Sequence, residues 1–165
     1  MEALEYLAET RDGVLQAVEG LSEAQWRFKP APDQWCPLEI VEHLAIVGGR
    51  IVQILTQLGK TAGDRNPEST DAFILKDALD RSRKFQAPPI ICPTGLLSPG
   101  EALEQFLSRH ASIGERLAMG PALRQILASH PVYGPLDGYQ WILLYAAHNA
   151  RHTEQIREVL CATCS

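Results

Sequence analysis

An all-α four-helix bundle is the fold class this chain predicts, and three observations predict it. Four long stretches repeat apolar residues at helical intervals. A proline-rich segment, Ala87 to Pro99, separates the second of these from the third. No stretch alternates convincingly enough to read as a strand. Crossovers of that length are what certain four-helix bundles require, because short loops join only antiparallel neighbours. At 165 residues the chain suits one domain, residues 1–165, with a single sizeable core.

The first helix is expected over Glu2 to Val18, with Leu4, Leu7, Ala8, Leu15 and Val18 facing inward and Gly20 placed to end it. Ser22 with Gln25 three residues on has the form of a capping box, and Lys29-Pro30-Ala31-Pro32-Asp33 then breaks regular structure. Cys36-Pro37 opens the second long helix, since proline's missing N–H would be unpaired at the first helical position anyway. Glu39 lies in its first turn, where a carboxylate interacts well with the helix dipole. Its apolar arc runs Leu44, Ala45, Gly48, Ile51, Val52, Leu55, with Gly59 as the natural stop and His43 at the edge of the arc.

Lys60 to Ser69 reads as a loop, and Asp71 to Phe85 as a shorter helix with a poor amphipathic pattern. Ser98-Pro99-Gly100-Glu101 is a helix start with cap, proline and capping-box acid in place. The third long helix runs to about Met119 and is expected to bury Leu103, Phe106, Leu107, Gly114 and Leu117, with His110 on the same face. Gly134-Pro135 reads as a turn, Asp137 as the cap of the last helix, and that helix as running to about Cys161.

Composition excludes several classes. Hydrophobic content of 45% and charged content of 21% are those of a globular protein. A net charge of −5, with no run of Lys or Arg, argues against a nucleic-acid surface, which needs clustered cations to meet phosphates. The N-terminus lacks the pattern of a signal peptide, and no apolar run approaches the ~20 residues that span a bilayer. The four cysteines therefore read as reduced thiols and the protein as cytoplasmic. Surplus apolar residues would support a homodimer, though no residue demands one.

Chemistry concentrates in the last helix. His148 and His152 stand one turn apart, on the side that also carries Trp141, Leu144, Tyr145, Ile156 and Val159. Two imidazoles on an apolar stripe are costly to bury without partners. The i, i+4 spacing suits a metal, but from spacing alone hydrogen-bonded core histidines, or rings packed beneath a loop, are the commoner case. Asn149 follows His148, so the general base of the His-Glu-x-x-His zinc proteases is missing. A bundle that brings the His43 helix alongside would supply a third imidazole and leave an open position, as in catalytic zinc sites.

The stretch Trp35-Cys36-Pro37-Leu38-Glu39-Ile40-Val41-Glu42-His43-Leu44 resembles the W-[ST]-x-x-E-x-x-x-H-L segment of the DinB-like superfamily of metal-dependent enzymes. His130-Pro131-Val132-Tyr133-Gly134-Pro135-Leu136, followed by Trp141, His148, His152 and Gln155-Ile156, resembles that superfamily's H-P-x-[FY]-G-x-L…W…H-x-x-x-H-x-x-Q-I ending. The resemblance implies an up-down-down-up bundle in which His43, His148 and His152 bind a divalent metal, usually nickel or zinc. It further implies a small-molecule enzyme, either a transferase using a low-molecular-weight thiol or a hydrolase. The alternative is a non-catalytic bundle that binds a metal or small ligand.

Other residues carry two readings each. Glu39, one turn before His43, could act as the catalytic base or orient the His43 ring, or could be only a helix-start carboxylate. Cys36 stands where the family has Ser or Thr; a thiol at a helix start can be activated, or it can be buried and inert. His110 could line a pocket or satisfy a buried polar group. His130 reads as a turn or packing residue in preference to a fourth ligand, and Cys161-x-x-Cys164, which has the form of a redox or zinc half-site, as an incidental pair near the chain end.

Overall fold

The computed structural model describes residues 3–56, 68–82, 86–118 and 120–162. Gly59, the segment from Lys60 to Pro67, Phe85, Met119 and Cys164, on which parts of the sequence reading fall, lie outside the described residues.

Four long helices form an up-down-down-up bundle: α1 (Ala3–Val18), α3 (Pro37–Thr56), α5 (Pro99–Leu117) and α6 (Gly138–Cys161). Short helices α2 (Glu23–Trp26) and α4 (Asp71–Leu79) pack on them, α4 mainly against α6. α3 packs along α5, and α1 along α6. The proline-rich crossover is extended except for one 3-10 turn, Pro89–Ile91.

The local signals act as chemistry says they should. Ser22, Ser98 and Asp137 each accept from the backbone N–H three residues on, and Gln25, Glu101 and Gln140 each return a bond to the cap residue's own N–H. On α1 the buried set is Ala3, Leu7, Thr10, Val14 and Val18, which shifts the expected face: Leu4 is 58% exposed. On α5 the buried residues are Ala102, Phe106, His110 and Ile113, a clean 3-4 stripe, whereas Leu107 is 40% exposed. Leu107 follows Phe106 in the chain, and adjacent positions on a helix cannot share a narrow face.

A second difference concerns strands. Leu127–His130 (β1) and Gly134–Asp137 (β2) form an antiparallel hairpin, with His130 opposite Gly134. Pro131 to Tyr133 make the turn, and Gly134 at φ +71° begins the return strand instead of forming the turn with Pro135. The hairpin is too short to display an alternation. Tertiary bonds anchor it: Ser69 Oγ donates to the Tyr133 carbonyl, the Tyr133 hydroxyl donates to Asp77, and Trp141 Nε1 donates to the Ala128 carbonyl.

The interior divides into two apolar clusters. One gathers Leu7, Ile51, Leu55, Ile113, Trp141 and Tyr145; the other gathers Val14, Leu38, Leu44, Phe106, Ile156 and Val159. Between them, α1 contributes Thr10, α5 His110, and α6 Asn149 and Thr153, all buried. Gly48 of α3 lies at the same level. A Cβ there would sit 2.7 Å from the Tyr145 hydroxyl and 2.8 Å from Arg109 Cβ. Gly48→Ala is therefore expected to destabilise by about 1–3 kcal/mol, although alanine is the better helix former. Urea denaturation reads the change, and a variant as stable as the parent would contradict this close helix approach.

Candidate metal centre

Three imidazoles meet where α3 faces α6. One ligand-capable atom from each of His43, His148 and His152 lies within 4.8 Å of the other two. The His43 and His148 Nε2 atoms are 3.0 Å apart. Ring centroids are separated by 5.1 Å for His43–His148, 4.9 Å for His43–His152 and 4.4 Å for His148–His152. Among the described residues this is the sole cluster of three or more His, Cys, Asp or Glu side chains with such spacing.

What lies behind two of the rings fixes their tautomers. His43 Nδ1 is 2.7 Å from the Ile91 carbonyl, which can only accept, so Nδ1 carries the proton and the Nε2 lone pair faces the cluster. His152 Nδ1 is 2.7 Å from Gln155 Oε1, which fixes the same tautomer and also turns Nε2 free. The His43–His148 pair is an N–H···N bond if His148 carries its proton on Nε2; otherwise two lone pairs converge. Two nitrogens on one tetrahedral ion, each 2.0–2.1 Å away, would lie about 3.3 Å apart, close to what this pair shows.

All three rings are held neutral. Burial lowers the proton affinity of His43, with the Ile91 carbonyl partly opposing. Burial, then the neighbouring His152 and His43, place His148 well below the ordinary histidine value. Burial, reinforced by His43 and by the Arg151 and Arg81 guanidiniums, lowers His152 to about 3. At pH 7 the cluster thus offers unprotonated nitrogens, the form a metal requires. Trp35 closes one side, its ring 4.8 Å from His43 and 6.4 Å from His152.

Residues 6–156 match the family model of the DinB superfamily. The chain belongs to that superfamily. It is 27% identical over 150 residues to an uncharacterized protein, YuaE, of Bacillus subtilis (strain 168), an alignment covering 86% of this chain and 87% of that one. Its fold is that of a crystal structure described as TT2238, a four-helix bundle protein, with a TM-score of 0.64, 21% identity, and coverage of 94% of this chain and 96% of the other.

Within this DinB-superfamily bundle, the remaining sequence candidates fall as follows. Glu39 is outside the histidine cluster: Oε2 accepts from the Cys36 N–H at 3.0 Å and Oε1 from Lys29 Nζ at 2.7 Å. Burial raises its carboxyl, and the bonds from Lys29 and Cys36 more than offset that, so it ends below the ordinary value. The orienting partner of His43 is the Ile91 carbonyl and not Glu39. Cys36 is buried, and burial pushes its thiol up, away from the thiolate. His110 belongs to the polar layer between the two apolar clusters, 2.9 Å from Asn149 Nδ2, and burial holds it at about 4. Cys161 is exposed.

Three contributors were assigned no role from the sequence, although Gln155 and Glu42 lie in the quoted motifs. Gln155 sits three residues after His152, a spacing that predicts contact on a helix, so it had a signal. The Ile91 carbonyl had none, because a backbone oxygen carries no residue preference. Glu42 is the third. It is 4% exposed, and it holds the crossover that delivers Ile91 by accepting from Thr94 N–H, Thr94 Oγ1 and Gly95 N–H at 2.9, 2.7 and 2.8 Å.

Proposed function

We propose that this protein is a divalent-metal enzyme acting on a small molecule, with His43, His148 and His152 as the ligands and zinc or nickel as the ion. The observation that carries the reading is the pair of acceptors outside the cluster, Ile91 O and Gln155 Oε1. They fix two tautomers so that lone pairs face one shared space. A core histidine also needs an acceptor for its ring N–H, but core packing does not call for three imidazoles with ligand-capable nitrogens within 4.8 Å of one another. A divalent ion held by three neutral imidazoles would supply Lewis acidity and make a nucleophile available near neutral pH.

Transfer of a low-molecular-weight thiol is the preferred reaction, and metal-assisted hydrolysis the second. The cluster holds no carboxylate, and Glu39 is occupied at both oxygens. A thiol, with a pKa near 8.5, needs less help to lose its proton than water does. We assign Glu39 the positioning of the Trp35–Cys36 entry into α3, and Trp35 the wall beside the ligands. The same lack of a free carboxylate supports the second reading, a bundle that binds a metal or small ligand without catalysis.

Elemental analysis of untagged protein tests the site. About one equivalent of zinc or nickel is expected, and the triple variant His43→Ala, His148→Ala, His152→Ala should retain helical circular dichroism while losing it. Equal metal in parent and variant rejects the site. Transfer of a thiol to electrophilic substrates by the parent and not by His148→Ala would separate enzyme from binder.

A further inference from the structure

Of the three tryptophans, Trp26 and Trp141 are buried in the two apolar clusters, and Trp141 also donates its indole N–H to the Ala128 carbonyl. Trp35 differs. It is half-buried, and its ring lies directly against the histidine cluster. The indole centroid is 4.8 Å from that of His43 at an interplanar angle of 44°. It is 6.4 Å from that of His152, with the two planes only 27° apart. Both separations are those of aromatic rings in contact.

The support beneath Trp35 is rigid. The N–H of the next residue, Cys36, is held by Glu39 Oε2 at 3.0 Å, and Glu39 Oε1 is held in turn by Lys29 Nζ at 2.7 Å. The Cys36 side chain is buried. His43 and His152 are buried as well, whereas Trp35 and His148 each keep part of their surface in solvent. Among these packed rings, Trp35 and His148 therefore border the approach to the inward-facing lone pairs. An atom bonded to His43 through Nε2 at ~2.0–2.1 Å would lie no more than about 8 Å from the indole centroid. A ligand only a few bonds long spans that distance.

We propose that the Trp35 indole is a ligand-contacting wall of the histidine centre and gives it a preference for small thiols that carry a flat apolar group beyond the sulfur. The proposal deepens the metal reading above and rests on it, so its test keeps the two apart. An aromatic group seated on the indole leaves water and gains a ring contact, and a thiol ending in a methyl gains little of either. The probes are 2-phenylethanethiol and ethanethiol, which share the sulfur and its first two carbons and differ in the phenyl. Cobalt(II) takes the place of zinc, because bound thiolate sulfur gives it a charge-transfer absorption that zinc lacks. Trp35→Leu is the variant: leucine keeps an apolar cover over His43 and removes the flat face. Comparing two thiols on one protein cancels any weaker hold on the metal in the variant.

On the cobalt-loaded parent, 2-phenylethanethiol is expected to bind about tenfold more tightly than ethanethiol, and in Trp35→Leu the preference should fall to about threefold or less. No preference in the parent, or a preference above about fivefold that survives in the variant, overturns the proposal. Should the variant fail to fold, the zinc-loaded parent decides: phenyl protons of the bound thiol should show nuclear Overhauser contacts to the Trp35 indole, and their absence overturns it. A parent that gives no cobalt absorption overturns the metal reading and this proposal with it. Cobalt absorption without discrimination between the thiols overturns this proposal alone.

Discussion

Zinc added to the metal-free protein at pH 7.5 is expected to raise the thermal midpoint by roughly 8–16 °C, and His148→Ala should abolish the gain. Free metal at a thousand times its dissociation constant stabilises the folded state by about 4 kcal/mol, and about 1 kcal/mol shifts the midpoint of a chain this size by roughly 2–4 °C. Acid should erase the gain, because the ion competes with protons for the same nitrogens. The metal-free protein has its own acid sensitivity. Unfolded histidines titrate near 6.5. Folded, His43 lies below that value, His110 at about 4 and His152 at about 3. Between those values and 6.5 the unfolded chain binds more protons, so stability is fully present above pH 6.5 and falls as pH drops towards 4. Each of these three buried rings contributes up to about 1.4 kcal/mol per pH unit in that window. Calorimetry from pH 4.5 to 8, with zinc and with chelator, reads both slopes. A zinc increment that survives in His148→Ala, or a flat acid limb, would contradict the site as described.

The long helices and two of the metal-capable residues were legible because their information is periodic. Spacing of 3.6 residues places His148 and His152 together whatever surrounds them. The capping boxes at Ser22 and Ser98 and the Asp137 cap are equally local, and each forms as read. His43 joined them on the assumption that a bundle sets α3 beside α6, which the resemblance then supported, since nothing local says that the two helices meet at that level. The misplacements have the opposite character. Leu4 and Leu107 look buried by composition, but their faces are decided by which neighbour each helix meets. The hairpin is held by bonds to Ser69, to Asp77 of α4 and to Trp141 of α6, a tertiary cause that no four-residue stretch can announce. Glu39 attracted attention as the nearest carboxylate to His43 in sequence, yet Lys29 and Cys36 claim it. The residue next to His43, Glu42, proves to have the larger structural duty.

Glu42→Ala should be among the most damaging single changes on α3, at about 3–5 kcal/mol. One buried carboxylate satisfies two backbone N–H groups and one hydroxyl of the crossover, so its removal leaves three donors without an acceptor. Hydrogen bonds to a charged group are each worth about 1.5–3 kcal/mol, and partial solvation of the freed segment returns some of that. Glu42→Gln should lose nearly as much. Its amide keeps one oxygen for the Thr94 pair, but its NH2 then opposes the Gly95 N–H, donor against donor. The effect should reach the candidate metal centre. Thr94 lies three residues after Ile91, whose carbonyl sets the His43 tautomer, and the same short stretch of α3 grips both. Loss of an orienting partner behind a metal-binding histidine typically costs 10–100-fold in metal affinity. Either variant should therefore bind zinc at least tenfold more weakly even where it is folded, with His148 and His152 untouched. Denaturant titration and zinc competition against a chromophoric chelator measure the two losses separately. Stability within 1 kcal/mol of the parent would show that the crossover is held by its prolines, and unchanged zinc affinity in a destabilised variant would show that Ile91 keeps its place without the clamp.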